Sequence, residues 1–234
     1  MENEVFYCNI CDKVLHPTSE ELKCIYCKEV SVADYTCDEH HFVCENCRLA
    51  LPEELVLKTC ERSEIKNPYE LANLIMKHPA IPMHSPIHHY LVPAVLLTAI
   101  KNVGYDLPSR AVKIAIKRGK RIPYGTCGSW GVCGAGAGVG IAISVLTGAT
   151  YKSDTERSES LCASGESLLS ISRLGGPRCC KASVYTSIES AIDYLEKKFK
   201  LKLPSNFEGC PFSSNNEECK KDRCVYYNKG GYQN

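Results

Sequence analysis

Residues 8–47 read CNICDKVLHPTSEELKCIYCKEVSVADYTCDEHHFVCENC, and this stretch holds eight potential metal ligands in four pairs. Two residues separate the ligands of each pair, a spacing at which a tight turn directs both donor atoms toward one point. Four pairs are enough for two tetrahedral ions, and zinc is the usual ion of structural sites built from cysteine and histidine. The pairs are Cys8 with Cys11, Cys24 with Cys27, Cys37 with His40, and Cys44 with Cys47.

The four pairs can share two ions in two ways. Sequential pairing gives one ion to the first two pairs and the other ion to the last two. Cross-braced pairing joins the first pair to the third and the second to the fourth. We favour the cross-brace because only three residues separate His40 from Cys44, and this connection is short for two pairs that bind the same ion. His41 is an alternative to His40, since spacing does not distinguish neighbouring residues.

This N-terminal segment has few apolar residues, so we expect metal binding to supply its folding free energy. A closed site of four protein ligands is typical of structural zinc. Acidic side chains outnumber basic ones here, which disfavours contact with the phosphates of a nucleic acid. The sequence therefore predicts a zinc-stabilised module that supports or docks the rest of the chain.

The chain has 234 residues, of which 16 are cysteine, and its formal net charge is +1. Its first residues lack the basic and apolar regions of a secretory signal. Its apolar stretches are too short or too rich in glycine to span a bilayer. We therefore predict a cytoplasmic protein without a membrane partner. The reducing cytosol favours metal ligands and reactive thiols over disulfides.

The pattern after the zinc module predicts a mainly α fold with a Cys-rich C-terminal tail. Residues 1–50 form the zinc-binding module, 51–66 a linker or connecting helix, 67–205 a helical domain and 206–234 the tail. No convincing alternating strand occurs in the helical domain. Predicted helices begin at Asn67-Pro68 and Pro86 and then span 109–118, 132–146, 156–174 and 183–200.

A second group of cysteines lies in the segment GTCGSWGVCGAGAGVG, residues 125–140. Its glycines suggest a dinucleotide fingerprint, but the preceding residues are polar and contain Pro123, whereas that fingerprint needs an apolar strand before it. We instead predict a loop that holds Cys127 and Cys133 and leads into a helix. Backbone N–H groups at the start of a helix would stabilise thiolates or an anionic cluster there.

The segment GGPRCCK, residues 175–181, is a second loop before a helix. Its adjacent cysteines, Cys179 and Cys180, are flanked by Arg178 and Lys181, which favour thiolates. Both loops could converge on one site. Three or four thiolates there would hold an iron–sulfur cluster or supply a persulfide-carrying nucleophile with a resolving partner.

Two further elements could contribute to such a site. In the segment HSPIHH, residues 84–89, we predict His88 as a general acid or base and His84 and His89 as metal ligands. The tail carries three cysteines with interleaved basic residues, and a cysteine followed by proline is frequent in cluster-binding segments. These tail cysteines, predicted to bind a cofactor, are Cys210, Cys219 and Cys224.

Several motifs give the chain a resemblance to a prokaryotic domain family of unknown function from anaerobic archaea and bacteria. The motifs are HSPIHHYLVPAVLLTA (84–99), GTCGSWGVCGAGAGVGIA (125–142), LTGAT (146–150), GGPRCCK (175–181) and CPFSSNNEECKKDRC (210–224). The segment HHFVCENC (40–47) resembles the end of the zinc-ribbon-like module found before such domains. Members are similar to pieces attached to methyltransferase or radical enzymes, and this resemblance implies an accessory role in metabolism.

These observations predict a metal-dependent iron–sulfur protein of sulfur or metal-cofactor metabolism, with zinc in the N-terminal module and a partner enzyme in the same pathway. Cys179 and Cys180 would act as thiolates in sulfur transfer. The alternative is a non-catalytic zinc-binding adaptor that presents a helical surface to a partner enzyme. The oligomeric state, the substrate and the choice between enzyme and adaptor stay open.

Overall fold

The N-terminal module of the computed structural model, which describes residues 5–227, contains two small antiparallel sheets. Strand β1 (His16–Pro17) pairs with β4 (Tyr35–Thr36), and β2 (Glu21–Lys23) pairs with β3 (Val30–Val32). Each strand is only two or three residues long, and most of its side chains are exposed. The sheets alone bury too little apolar surface to fold, as expected for a metal-stabilised module.

The rest of the described chain is helical, which confirms the predicted fold class. Between residues 5 and 227, no helix combines the length and the hydrophobicity needed to cross a bilayer. The helices are α1 (Glu45–Arg48), α2 (Pro52–Arg62), α3 (Pro68–Met76), α4 (Ile87–Asn102), α5 (Ala111–Gly119), α6 (Thr126–Ser129), α7 (Gly134–Leu146), α8 (Thr155–Ser172) and α9 (Cys180–Phe199).

Helix α4 forms the centre of the helical domain. Every side chain from Ile87 to Ile100 is buried except that of His89, which is half-buried. Helices α2, α3, α5, α7 and α9 all pack against it. A helix that is apolar on all sides is stable in water only when other elements surround it, so α4 determines the positions of its neighbours.

A proline inside α4 explains the close approach of α7. Pro93 has no N–H group, so it cannot bond to the carbonyl of His89 one turn earlier. Gly138 of α7 packs over this point: a Cβ atom there would lie 2.9 Å from the Pro93 ring and 3.1 Å from the His89 carbonyl oxygen. The glycines of the 134–140 segment therefore serve helix packing, in line with the rejection of a nucleotide site.

The predicted helix bounds agree with the observed ones to within three residues, and the largest difference is at α9. The helix was expected to start at residue 183, but it begins at Cys180 because Cys179 acts as the N-cap. The Cys179 thiol accepts a hydrogen bond from the backbone N–H of Ala182 at 3.5 Å. Cysteine is not among the usual N-cap residues, so the sequence pattern did not indicate that α9 begins at Cys180.

Two single cysteines outside the groups have different environments. Cys60 is fully buried in α2. Cys162 is exposed on α8. Helix α8 buries only Ala163 and Ser167, so its contact face is narrow and does not include the thiol of Cys162.

The tail returns to the helical domain and packs against α3 and α9 as far as residue 227. Phe207 contacts the rings of Tyr69, Tyr185 and Tyr226, with centroid distances of 4.9, 4.7 and 5.5 Å. The backbone N–H of Cys210 donates to the carbonyl of Tyr226 at 2.8 Å. The last seven residues of the predicted 206–234 tail lie outside the described residues.

The contact between α7 and α8 can be tested with two glycine substitutions. Gly140→Ala would place a Cβ atom 1.9 Å from the Ser164 hydroxyl oxygen and 2.5 Å from the Ser160 carbonyl oxygen. We expect a loss of about 1–3 kcal/mol in the free energy of unfolding, measured by urea denaturation.

Gly165→Ala on α8 is the matched control, since no atom lies within 4 Å of its added Cβ. Because alanine favours a helix over glycine, this variant should gain up to about 1 kcal/mol. Equal stability of the two variants would contradict the close packing of α7 on α8.

Candidate metal centres

The first N-terminal centre consists of Cys8, Cys11, Cys37 and His41, whose donor atoms all lie within 4.8 Å of one another. The Sγ atoms of Cys11 and Cys37 are 3.5 Å apart. The Nδ1 atom of His41 lies 3.4 Å from Cys37 Sγ and 3.7 Å from Cys8 Sγ. These separations suit four ligands of one tetrahedral ion.

The second N-terminal centre consists of Cys24, Cys27, Cys44 and Cys47, and all four side chains are buried. The Sγ atoms of Cys27 and Cys44 lie 3.6 Å apart. A hydrogen bond with the Cys47 thiol lowers the pKa of Cys24 to about 4 and raises that of Cys47. The arrangement therefore favours one thiolate, at Cys24, and an incoming metal ion would displace the protons of other thiols in the group.

The two centres are cross-braced, as favoured by the sequence. The first ligand pair shares its ion site with the third, and the second pair shares with the fourth. Asp12 and Lys28, each directly after the second cysteine of a pair, adopt positive φ values of 58° and 63°. Their N–H groups donate to the carbonyls of Cys8 and Cys24 at 2.8 and 3.0 Å, which closes each turn around its ligands.

The structure brings His41, rather than His40, to the three thiols of the first centre. His40 has a left-handed backbone with φ of 54°, and its ring lies on the surface, where Nδ1 is 3.8 Å from the Glu20 carboxylate. The turn needs this conformation at His40 in order to direct the side chain of His41 inward. The predicted ligand His40 is therefore corrected to His41, which follows Cys37 by four residues.

The second group of cysteines does not form one compact site. Cys127 is exposed on α6, and Cys133 is the half-buried N-cap of α7. Cys179 is the N-cap of α9 and Cys180 is its first residue. Cys179 lines a pocket with the tail cysteines, whereas Cys180 is not part of that lining.

Cys179 and the three tail cysteines line one pocket between α9 and the tail. Other lining residues are Lys181, Tyr185, Phe212 and Asn216, and the described lining includes no carboxylate. The four cysteines of this pocket, called the tail pocket below, are Cys179, Cys210, Cys219 and Cys224.

Several N–H groups point at the sulfurs of the tail pocket. Cys179 Sγ accepts from the side-chain amide of Asn216 at 3.8 Å as well as from Ala182 N–H. Cys219 Sγ accepts from the backbone N–H of Lys221 at 3.4 Å. Burial raises the pKa of Cys179, and it raises that of Cys210 to about 11. Without a cation, the thiols of Cys179 and Cys210 would therefore be neutral.

Lys181 supplies positive charge beside this pocket. Its side chain is 1% exposed, and its ammonium lies 4.8 Å from the centre of the Phe212 ring and 3.4 Å from the Pro82 carbonyl oxygen. Burial lowers the pKa of Lys181 to about 8, and the nearby charges of Cys180, Cys179 and Cys210 oppose this shift. The described lining of the pocket offers this lysine no carboxylate, so an anion bound in the pocket would be its compensating charge.

The three histidines of residues 84–89 occupy different environments. His84 Nε2 lies 3.4 Å from the Glu218 carboxylate, at ion-pair distance but without hydrogen-bond geometry. His88 is fully buried beside Ser85. The ring of His89 packs on Gly134, and its Nδ1 lies 3.1 Å from the Ile122 carbonyl oxygen.

Three residues near the candidate sites were not predicted from the sequence, namely Tyr185, Asn216 and Ser85. Tyr185 lies one turn after Lys181 on α9, so helical spacing from the CC motif could have placed it at the pocket. Asn216 acts through a hydrogen bond to the distant Cys179, for which the sequence carries no periodic signal. Ser85 bonds to His88, three residues later in the chain.

The family model that matches the chain is described as a family of unknown function, DUF5714, and it covers residues 56–227. The match includes the tail pocket and the histidine segment but not the cross-braced module. A comparison with curated proteins found no match, and neither did a comparison with solved structures.

The assignment of His41 can be tested by counting bound zinc. His41→Ala removes a ligand whose donor atom lies within 4.8 Å of the other three, so we expect the variant to lose about one zinc ion per chain. His40→Ala is the matched control and should retain the wild-type zinc content. Elemental analysis after gel filtration measures the zinc content of both variants. Zinc loss from the His40 variant alone would show that His40, and not His41, is the ligand.

Proposed function

Because the chain belongs to the DUF5714 family, for which no function is established, we propose its function from the site geometry: it is an iron–sulfur protein whose cluster binds in the tail pocket. Two structural zinc ions would stabilise the N-terminal module. The cluster would serve electron transfer or sulfur chemistry in metal- or sulfur-cofactor metabolism.

The observation that carries the proposal is that four cysteines line one pocket without forming a compact group. A zinc ion with bonds of about 2.3 Å holds its ligand sulfurs about 3.8 Å apart. Within residues 5–227, only the two N-terminal groups bring three or more potential ligand atoms within 4.8 Å of one another. The tail-pocket thiols are therefore not arranged as for a single ion, and a cube of iron and sulfide would use sulfurs that lie further apart.

The charges and donors of the pocket also suit a cluster. A cluster held by four thiolates is anionic, and buried anions need compensating charge or hydrogen bonds. Lys181 provides the charge, while Asn216 and Lys221 provide N–H groups at the sulfurs. Hydrogen bonds to sulfur and nearby charge are the features by which proteins set a cluster's reduction potential.

Cys179 and Cys180 would then have different roles. As a cluster ligand, Cys179 would not be free for sulfur transfer. Cys180 faces away from the tail pocket and keeps its thiol, so a reaction at a thiol would belong to Cys180. Sulfur transfer itself stays a prediction.

A non-catalytic zinc adaptor is the second candidate. The N-terminal module favours it, since apolar side chains are exposed there in a small region, as on docking surfaces. Val30 and Val32 of β3 are 62% and 60% exposed, and Phe6 is 54% exposed. In this alternative the tail pocket would hold zinc, and the protein would be colourless and redox-silent.

Substitution of the tail cysteines distinguishes the two candidates. We expect protein purified without oxygen to be brown, with about four iron and four sulfide per chain on the ligand count of a cubane cluster. Cys210→Ser or Cys224→Ser should remove the colour, the iron and the sulfide while zinc in the N-terminal module is unchanged.

Cys162→Ser is the matched control, because this thiol is exposed on α8, outside the pocket. The variant should keep all bound metal and the wild-type absorption spectrum. A colourless wild-type protein containing only zinc would support the adaptor instead.

The role of Lys181 can be tested by redox titration of the cluster. Reduction adds negative charge, which a nearby ammonium stabilises, so Lys181→Met should lower the midpoint potential. The wild-type potential should also fall as pH rises through the pKa of Lys181, and the variant should lack this dependence.

Lys202→Met provides the control for a general loss of charge. Lys202 is exposed and pairs with Glu196 at 3.1 Å, away from the tail pocket. An equal shift in both variants would contradict a specific role for Lys181.

A further inference from the structure

Strand β3 of the N-terminal module has one open edge. It belongs to a two-stranded sheet, so within residues 5–227 only its edge toward β2 is paired with another strand. The side chains of Val30, Ser31 and Val32 are all exposed, which leaves the other edge accessible to solvent. An edge of this kind presents N–H and C=O groups to which a second chain can pair.

The hydrogen bonds at the ends of the β2–β3 ladder show which backbone groups of β3 face outward. The N–H group of Cys24 donates to the carbonyl of Glu29 at 2.8 Å. The N–H group of Ala33 donates to the carbonyl of Glu20 at 2.9 Å. Bonded and non-bonded residues alternate along an antiparallel strand, so between these two bonds it is Ser31 that bonds to β2.

The backbone groups of Val30 and Val32 therefore point away from β2. No hydrogen bond joins them to another part of the described chain. Two N–H and two C=O groups along one edge are enough to pair with a short segment of extended backbone.

A cleft of about 490 Å³ lies beside this edge, and Ser31 and Val32 form part of its lining. Its volume is within the range of about 300–1,000 Å³ that is usual for ligand sites. Aromatic rings offer apolar contact area and also attract cations through their faces. The aromatic residues of the lining are Tyr7, Tyr26, Tyr35 and Phe42.

The charge of the module indicates what kind of ligand the cleft accepts. Within residues 5–50 acidic side chains outnumber basic ones. The cleft itself is lined by the carboxylates of Asp34 and Glu45 and by the guanidinium of Arg48. Cys8 and His41 of the first metal centre also line it, and three thiolates with a neutral imidazole around a divalent ion keep a net negative charge. The surface therefore attracts cations and repels nucleic acids and anionic lipids.

We propose that the open edge of β3 and the adjoining cleft bind an extended basic segment of a partner protein. The segment would pair its backbone with Val30 and Val32 as an added strand. Its lysine or arginine side chains would reach the carboxylates and the aromatic rings of the cleft. In this mode of recognition the main chain supplies affinity and alternate side chains supply specificity.

The interaction goes beyond the proposed cluster and does not depend on it. None of the tail-pocket cysteines lines the cleft. Substitutions at the edge of β3 should therefore leave the iron and sulfide content unchanged, and absence of a cluster would not alter peptide binding.

Peptide selection followed by a backbone substitution tests the proposal. Random heptapeptides displayed on phage are selected on the wild-type protein, and the strongest binder is synthesised and measured by fluorescence anisotropy. We expect the selected sequences to be enriched in lysine and arginine. Val32→Pro removes an outward N–H group but no bond to β2, and it should weaken binding of the synthetic peptide about tenfold.

Val32→Thr is the matched control, because threonine keeps the backbone N–H group and the branched shape of valine. This variant should bind the peptide nearly as well as wild type does. Zinc analysis shows whether the module is folded, and both variants should hold as much zinc as wild type. Equal peptide binding by Val32→Pro and wild type would overturn strand addition.

A second pair of variants tests the cleft without changing the backbone. Asp34→Asn combined with Glu45→Gln should weaken binding about tenfold at low salt and reduce its dependence on ionic strength. Glu61→Gln combined with Glu64→Gln removes two exposed carboxylates outside the cleft and should have little effect. Equal weakening in the two double variants would contradict a role for the cleft, as would a selection that yields acidic peptides or no binder.

The edge of β3 in a second copy of the chain is the other occupant to be distinguished. Analytical ultracentrifugation compares wild type with Val32→Pro, and we expect the same oligomeric state in both. A wild-type dimer that becomes a monomer in Val32→Pro would show that β3 pairs with itself, and the partner segment would be rejected.

Discussion

The burial of α4 on all sides is the constraint on which the rest of the helical domain depends. An apolar helix must be surrounded, and its neighbours must approach closely enough to exclude water. Pro93 and the glycines of α7 permit that approach. As a result, the ring of His89 in the first turn of α4 packs on Gly134 at the start of α7.

The sixteen cysteines differ mainly in the spacing of their sulfurs. In the cross-braced module the donors are close together, as a single ion requires, and they are held by short turns. The four thiols that line the tail pocket are not gathered in this way, since no three of them have their Sγ atoms within 4.8 Å of one another. Spacing as well as residue type therefore separates the ligand sets of the N-terminal module from the tail-pocket cysteines.

The buried Lys181 lines the tail pocket, with Cys179 and Cys180 just before it in the chain. Because burial opposes the charged forms of both lysine and cysteine, the charged form of each is stabilised when the other is charged. A cluster in the tail pocket would use the resulting thiolate of Cys179.

The sequence by itself determined the ligand pairs of the N-terminal module, their favoured cross-brace and the succession of helices, since these depend on short-range spacing and periodicity. It could not distinguish His40 from His41, because the choice depends on a left-handed backbone at His40. It also grouped Cys127, Cys133, Cys179 and Cys180, whereas tertiary structure divides them. Which residues face each other depends on how α4, α7, α9 and the tail pack, and adjacent side chains at a helix start point in different directions.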